Sequence, residues 1–306
     1  MDNLLSVIII NYKTPDLLLR CINSIKLPKS IPNEIIVIDN ASNDDSKQIV
    51  TNQFPNIIWI QNPINEGFGR ANNIGVSIAK GEYLLLLNSD MILQENTILC
   101  CLQEVKKHPQ IGVLGCKLLN EDGSFQKSMF SVASFRKLID QNLIFNYFLP
   151  LKKEKEDAVM GSFMMIPKKV FQEVGGFDPD FFMYSEELEL CHRISKAGYK
   201  IYYFDKATAI HKHGGSISNK SWGNKQRYLS NALLFYKVRG LFGYLLYHKL
   251  FIGNAVTNFF AMWLLDKEYR KSFYKEQKYY FSNFVYYLKI PFLYSAEFKS
   301  QMQLFV

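Results

Sequence analysis

The sequence predicts an α/β fold: a mostly parallel central sheet with helices on both faces, then a helical, basic, aromatic-rich C-terminal segment. Three observations carry this. Continuous apolar runs of strand length alternate with helix-like stretches from the N-terminus to about residue 90, as expected for strands buried on both faces. The runs end at or just before Asn11, Asp39, Asn62 and Asp90, and open α/β sheets bind ligands outside the carboxyl ends of their strands. Lys220–Val306 holds 13 Lys and Arg against 4 Asp and Glu, a net +9 in a chain of net +8, and 24 of the 45 aromatic residues. The basic charge therefore belongs to an aromatic tail, not to a body that grips nucleic acid.

The 306 residues suffice for one large α/β domain, 1–220, and a smaller segment, 221–306, and a 48% hydrophobic content supplies a sizeable core. The cysteines, Cys21, Cys100, Cys101, Cys116 and Cys191, are odd in number and lack CxxC spacing. They predict free thiols in a reducing, cytoplasmic compartment. "MDNLLSVIIINYK" has no basic n-region and turns polar early, so it predicts a first strand and not a signal peptide.

"LLSVIIINY" is that strand, and "KTPDLLLRCINSIKL" a helix with Thr14 as N-cap and Pro15 at the first helical position. "NEIIVIDNAS" is a second buried strand, "DDSKQIVTNQF" a helix and "NIIWIQN" a third strand. "GFGRANNIGVSIAKG" predicts a helix closed by Gly81, and "YLLLLNSD" a fourth strand. "GVLGCKLLNEDGSF" reads as a hairpin turning near "EDGS". "AVMGSFMMIPKKVFQEVGGF" gives a strand and a short helix. "YSEELELCHRISKAGYK" gives an amphipathic helix with Leu188, Cys191, Ile194 and Ser195 on one side, and "KIYYFDKATAIHKHGGS" a late strand entering a His/Gly loop.

Four stretches can carry chemistry. Asp39 and Asp90 at strand ends can accept from a nucleoside or hold a metal that bridges phosphates; helix capping by Asp39, Asn40 or Ser42 is the structural alternative. "NEGFGRANNIG" (65–75) has glycines suited to a phosphate, with Arg70 beside them. It misses the dinucleotide fingerprint because Asn72 stands at the third glycine position, and a loop easing into a helix explains it equally. "YSEELELCHR" puts Glu186, Glu187 and Glu189 at a helix start, either as a general base or as a first turn favoured by the helix dipole. In "IHKHGGS", His211 and His213 are two apart in an extended segment, so one of them faces the cleft.

Together and in this order, "VIIINYKTPDLLLRCINSI", "IIVIDNASNDDS", "NEGFGRANNIG", "YLLLLNSDMIL", "GSFMMIPKKVFQEVGGFDPDFFMYSEELELCHR" and "HKHGGS" resemble the successive motifs of the family-two glycosyltransferases. These are inverting enzymes of the GT-A fold, and the resemblance is to the branch that includes bacterial rhamnosyltransferases. It runs from residue 5 to residue 220. It implies that "NSD" stands for the family's DxD-like motif, with Asn88 in place of the first carboxylate. Asp90 would then bind Mn²⁺ or Mg²⁺ with a loop histidine, His211 or else His213. Asp39 would contact the nucleoside, Asn11 would line its pocket, and Asn40, Asn65, Gly67, Arg70 and Asn88 would complete the donor side. "SEELEL" stands for EDxDL, which makes Glu187 the general base, with Glu186 as the alternative. The implied donor is a dTDP- or UDP-linked sugar, and the implied acceptor a cell-surface polysaccharide or lipid-linked glycan.

In the tail, the longest uncharged stretch, Leu250–Leu265, is short for a bilayer span. It predicts helices that lie peripherally on the inner face of the cell membrane, or else a bundle or homo-oligomer contact. Two other functions stay open on sequence grounds: a sugar nucleotidyltransferase, and a catalytically degenerate GT-A protein that binds nucleotide or glycan.

Overall fold

The computed structural model describes residues 4–135, 156–212 and 220–261. The chain divides into two units: Met1–Phe130 with Asp157–Asn219, and Ser131–Glu156 with Lys220–Val306. The stretch Ser131–Glu156, placed in the catalytic domain from sequence, thus groups with the C-terminal segment. The segment's continuation, 262–306, and the loop 213–219 with His213 lie outside the described residues.

The first unit begins as expected. β1 (Leu5–Asn11), α1 (Pro15–Ser24), β2 (Asn33–Asp39), α2 (Ser46–Gln53), β3 (Ile58–Gln61), α3 (Gly67–Ile78) and β4 (Tyr83–Asn88) alternate in order. β3, β2, β1 and β4 lie side by side, all parallel. Their apolar runs are continuous because both sheet faces are covered. Leu5, Val7 and Ile9 join a core with Leu18, Cys21 and Ile22 of α1. Ile8 points to the opposite face, where a Cβ on Gly75 of α3 would come within 2.5 Å of it. Gly81 does not close α3, which ends at Ile78. Its lack of a side chain admits β1, since a Cβ there would meet Ser6 N at 2.6 Å.

Beyond β4 the sheet also takes antiparallel strands. β5 (Met91–Leu93) is a separate strand, and α4 (Thr97–Lys107), not anticipated from sequence, follows it. Its buried Ile98, Cys101, Leu102 and Val105 keep helical spacing. β6 (Ile111–Leu119) and β7 (Phe125–Gln126) form the expected hairpin, with Leu119 opposite Phe125. After β8 (Met129–Phe130) and β9 (Ala158–Val159), β10 (Phe163–Pro167) inserts antiparallel between β4 and β6. α5 (Lys168–Glu173) and α6 (Glu186–Lys196) precede β11 (Lys200–His211), which pairs parallel to β6 and antiparallel to β5. The buried residues of α6 are Glu186, Glu189, Leu190, Cys191 and Ile194; Leu188 is half-buried and Ser195 exposed. Cys191 and Ile194 of the expected face are thus inward, and Glu186 and Glu189 go inward with them.

All five cysteines are free, and four are buried. Burial raises the Cys21, Cys101, Cys116 and Cys191 thiols well above the usual range, so none of these four is a reactive thiolate.

In the second unit, α7 (Lys220–Ala261) is two helices joined at Gly240, whose φ 67 and ψ −172 suit glycine alone. Aromatic packing fills its inner face. The Phe235 ring centroid lies 4.9 Å from that of Phe135 and 4.6 Å from that of Tyr247. Buried His248 stacks edge-on to Tyr244, and burial lowers its pKa to about 4. Among the described residues no helix is long and apolar enough to cross a membrane.

Candidate active site

The parallel strands bring polar residues into one row at their carboxyl edge. Asn11 is in register with Asp39, and Asp39 with Gln61. The Asp39 carboxylate accepts from Asn11 Nδ2 at 2.7 Å, Ser42 Oγ at 2.5 Å, Ser42 N at 2.9 Å and Gln61 Nε2 at 2.5 Å. It is buried, and these four donors hold it in one orientation. Asp39 thus holds the loop after β2 through the Ser42 N–H three residues on and does not cap α2, which begins after Asp45, and Ser42 and Gln61 are partners the sequence did not reveal. Thr14 Oγ1 donates to Asn11 Oδ1 and lies 3.1 Å from Ser89 Oγ, which ties β1 to the end of β4.

The glycine-bearing loop before α3 packs closely against the segment before α6. Gly67 has φ +77, and a Cβ there would stand 2.0 Å from the Phe182 carbonyl oxygen. The Gly67 N–H donates to Asn65 Oδ1, and the Phe68 N–H to the Phe182 carbonyl. Asn40 Nδ2 donates to Asn65 Oδ1 and to the Gly67 carbonyl, and Asn40 Oδ1 accepts from Asn62 Nδ2 and Glu66 N. Arg70 pairs with Glu66 at 3.2 Å and donates to the Pro179 carbonyl. The loop therefore fastens the segment before α6 onto α3. Gly67 thus gives its N–H to Asn65, and Arg70 uses Nε and Nη1 on the protein itself.

At the end of β4 the resemblance-implied pair does meet. His211 Nε2 lies 3.4 Å from Asp90 Oδ1, and both residues are buried. The pairing of His211 with Met91 fixes them side by side. His211 Nδ1 is 2.7 Å from Gln126 Oε1. Gln126 Nε2 donates to Asn120 Oδ1 and to the His211 carbonyl, so its Oε1 is the acceptor and Nδ1 carries the proton. Nε2 is then the lone-pair nitrogen and it faces the carboxylate, the arrangement in which imidazole ligates a metal. Two donors about 2.1 Å from a cation and at a right angle lie about 3 Å apart, so this pair fits a divalent cation. Among the described residues no cluster of three His, Cys, Asp or Glu joins them.

Asn88, which directly precedes Ser89 and Asp90, has a buried Oδ1 with no partner, as does Ser162 Oγ. The two residues are adjacent, since Asn88 N donates to the Ser162 carbonyl. Gly161 beside them leaves room for α6: a Cβ on it would be 3.4 Å from Glu187 Cβ. The start of α6 thus reaches the same strand edge as Asp90.

The three glutamates of α6 have different environments. Glu189 is held by Arg193 through both oxygens, at 2.7 and 2.6 Å, and is structural. Glu186 is buried with Oε2 unpartnered, and burial, then the Glu187 charge, pushes its pKa well above the carboxylate range. Glu187 is half-buried, and burial raises it to about 7 against the opposing backbone hydrogen bonds of the first turn. Tyr184 (φ 68) and Ser185 (φ 66) enter this helix in the left-handed region, backbone strain of a kind that concentrates at functional sites.

The family model described as Glycosyl transferase family 2 matches residues 6–175. The chain is 32% identical over 196 residues to rhamnosyltransferase WbbL of Escherichia coli (strain K12), covering 58% of this chain and 72% of that one. It is 25% identical over 236 residues to the N-acetylglucosaminyl-diphospho-decaprenol L-rhamnosyltransferase of Mycobacterium tuberculosis, covering 69% and 76%. Among solved structures it resembles the mannosyltransferase PcManGT from Pyrobaculum calidifontis in complex with GDP-Man and Mn²⁺. That match has TM-score 0.58 and 13% identity, covering 98% of this chain and 84% of that one. GalNAc-T7 with UDP, GalNAc and Mn²⁺ matches at TM-score 0.55 and 19% identity, over 70% of this chain and 44% of that one. The shared fold is GT-A.

Proposed function

We propose, from the premise that the chain belongs to glycosyl transferase family 2, that it is an inverting transferase. It moves a sugar, rhamnose on the strength of its curated relatives, from a dTDP- or UDP-linked donor to a hydroxyl of a lipid-linked glycan or cell-surface polysaccharide. The observation that carries this reading is the Asp90–His211 pair, oriented by Gln126, at the strand edge that the start of α6 also reaches.

Glu187 is the general base. It is half-buried and reachable, whereas Glu186 is enclosed, and a pKa near the working pH suits proton transfer. Glu187 takes the proton of the acceptor hydroxyl as its oxygen bonds to the anomeric carbon. The bond from that carbon to the diphosphate oxygen breaks on the opposite side, its electron pair leaves with the nucleoside diphosphate, and the configuration inverts. Asp90 and His211 would hold Mn²⁺ or Mg²⁺, which supplies neutralising charge for the diphosphate. The Asn11–Asp39–Gln61 row and Asn40 shape the nucleoside side. Asn88 Oδ1 and Ser162 Oγ offer unused acceptors toward the sugar.

The test is release of nucleoside diphosphate from a panel of dTDP-, UDP- and GDP-sugars, with a membrane lipid extract as acceptor, with Mn²⁺ or Mg²⁺ and with chelator. Metal-dependent release from one donor is expected. Binding without turnover would instead favour a degenerate GT-A protein.

Gln126→Leu is expected to weaken Mn²⁺ binding, measured by calorimetry, by about 10–100-fold, the usual effect of losing a partner that orients a ligating imidazole. Unchanged affinity would show that the Gln126–His211 bond does not position the ring.

A further inference from the structure

We propose that the first turns after Gly240 form a wedge that seats in the surface of an anionic lipid bilayer. The second half of α7 is apolar on two faces. Tyr244, Tyr247, His248 and Phe251 are buried at helical spacing. On the other side Phe242 is 79% exposed, Leu241 55%, Leu245 51% and Val256 50%. One apolar face packs the helix, and the other has no occupant among the described residues.

Charge identifies that occupant. Arg239 and Lys249 are exposed on either side of the Leu241–Leu245 patch. Arg239 precedes the patch by two residues and Lys249 follows it by four. No acidic residue lies between Lys220 and Leu265, so none interrupts the patch along the helix. An aromatic and two leucines flanked by cations match acyl chains below and anionic headgroups beside them. Among the described residues no helix is long and apolar enough to cross the bilayer, and this one is assigned a seat in the interface.

A second copy of the chain is a poorer fit. A two-fold contact between copies would bring the exposed cations Arg239 and Lys249 of both copies to one patch, whereas anionic headgroups complement them. Gly240 sets the wedge apart. Its backbone angles break the helix and place Leu241 and Phe242 at the start of the new one, where side chains leave the packed face.

The wedge complements the proposed lipid-linked acceptor, but its test needs neither donor nor acceptor, so the two can fail separately. Full-length protein is floated with vesicles of equal parts phosphatidylglycerol and phosphatidylcholine, and with phosphatidylcholine alone. Co-flotation with the anionic vesicles, weakened by salt, is expected. Phe242→Ser with Leu245→Ser should reduce it at least about tenfold, and Arg239→Glu should reduce it as well, with melting temperatures unchanged because all three sites are exposed. Protein that stays at the bottom of the gradient overturns the proposal, as does a double variant that floats like the parent. A double variant that loses a dimer in light scattering while still floating assigns the patch to a second copy, which also overturns it.

Discussion

Asp90→Ala is expected to lower nucleotide-sugar turnover by at least about a hundredfold, since a lost metal ligand forfeits several kcal/mol of charge stabilisation at the leaving group. Little else at this strand end could replace it. Asn88 occupies the first position of the "NSD" stretch and has no charge. Among the described residues no three-member cluster of ligating side chains exists. Asp90 is therefore the one carboxylate in that stretch, and His211 Nε2 faces it at 3.4 Å. Asp90→Asn separates charge from shape: it keeps the backbone bond from the Lys212 N–H to the residue-90 carbonyl and removes only the ionised oxygen. It should lose nearly as much activity and nearly all Mn²⁺ affinity, with far-UV circular dichroism unchanged. An Asp90→Asn protein with near-parental turnover would remove the cation from the mechanism.

What the sequence made legible follows the range over which each feature is encoded. β1 to β4 could be read because each strand is a self-contained apolar run, and both faces of the sheet demand such runs. The polar strand ends were legible for the same reason. The insertion of β10 between β4 and β6 was not, because nothing local in "FMMIP" records strand direction or neighbour. His211 could be paired with Asp90 through motif order, but Gln126 could not. Its contact spans 85 positions and is made by a two-residue strand. The approach of the Phe182 carbonyl to Gly67 was not legible either, because a glycine needed for close approach looks the same whatever group approaches. On α6 the apolar rule itself misled. Cys191 and Ile194 face inward as expected, but Glu186 and Glu189 turn inward beside them, and that exception is what marks the site.

Glu187→Gln should produce the other large effect, and it should move activity and stability in opposite directions. Removal of a general base typically costs 10²–10⁴-fold in rate. In the parent enzyme the base must be ionised, so kcat/KM should climb with pH through about 7 and level off above it; the residual activity of the variant should lack that limb. The stability sign is the reverse. A carboxyl whose pKa is raised on folding is stabilising to the fold only while protonated. Its contribution is complete below the unfolded value of 4.5 and is lost as pH rises through about 7. The amide introduced by Glu187→Gln mimics the protonated form at every pH, so the variant should melt at the parental temperature near pH 4.5 and a few degrees higher at pH 8. That gain corresponds to on the order of 1–3 kcal/mol. Glu186→Gln is the control. Glu186 is also raised by burial, so its replacement should stabilise in the same direction while leaving most of the turnover. If both variants turn over normally, the proton leaves by another route. If Glu186→Gln alone is inactive, the enclosed carboxyl is the base and Glu187 only raises its pKa. Stabilisation coupled to lost activity at residue 187 would identify the rise in its pKa as a cost that the fold carries for catalysis.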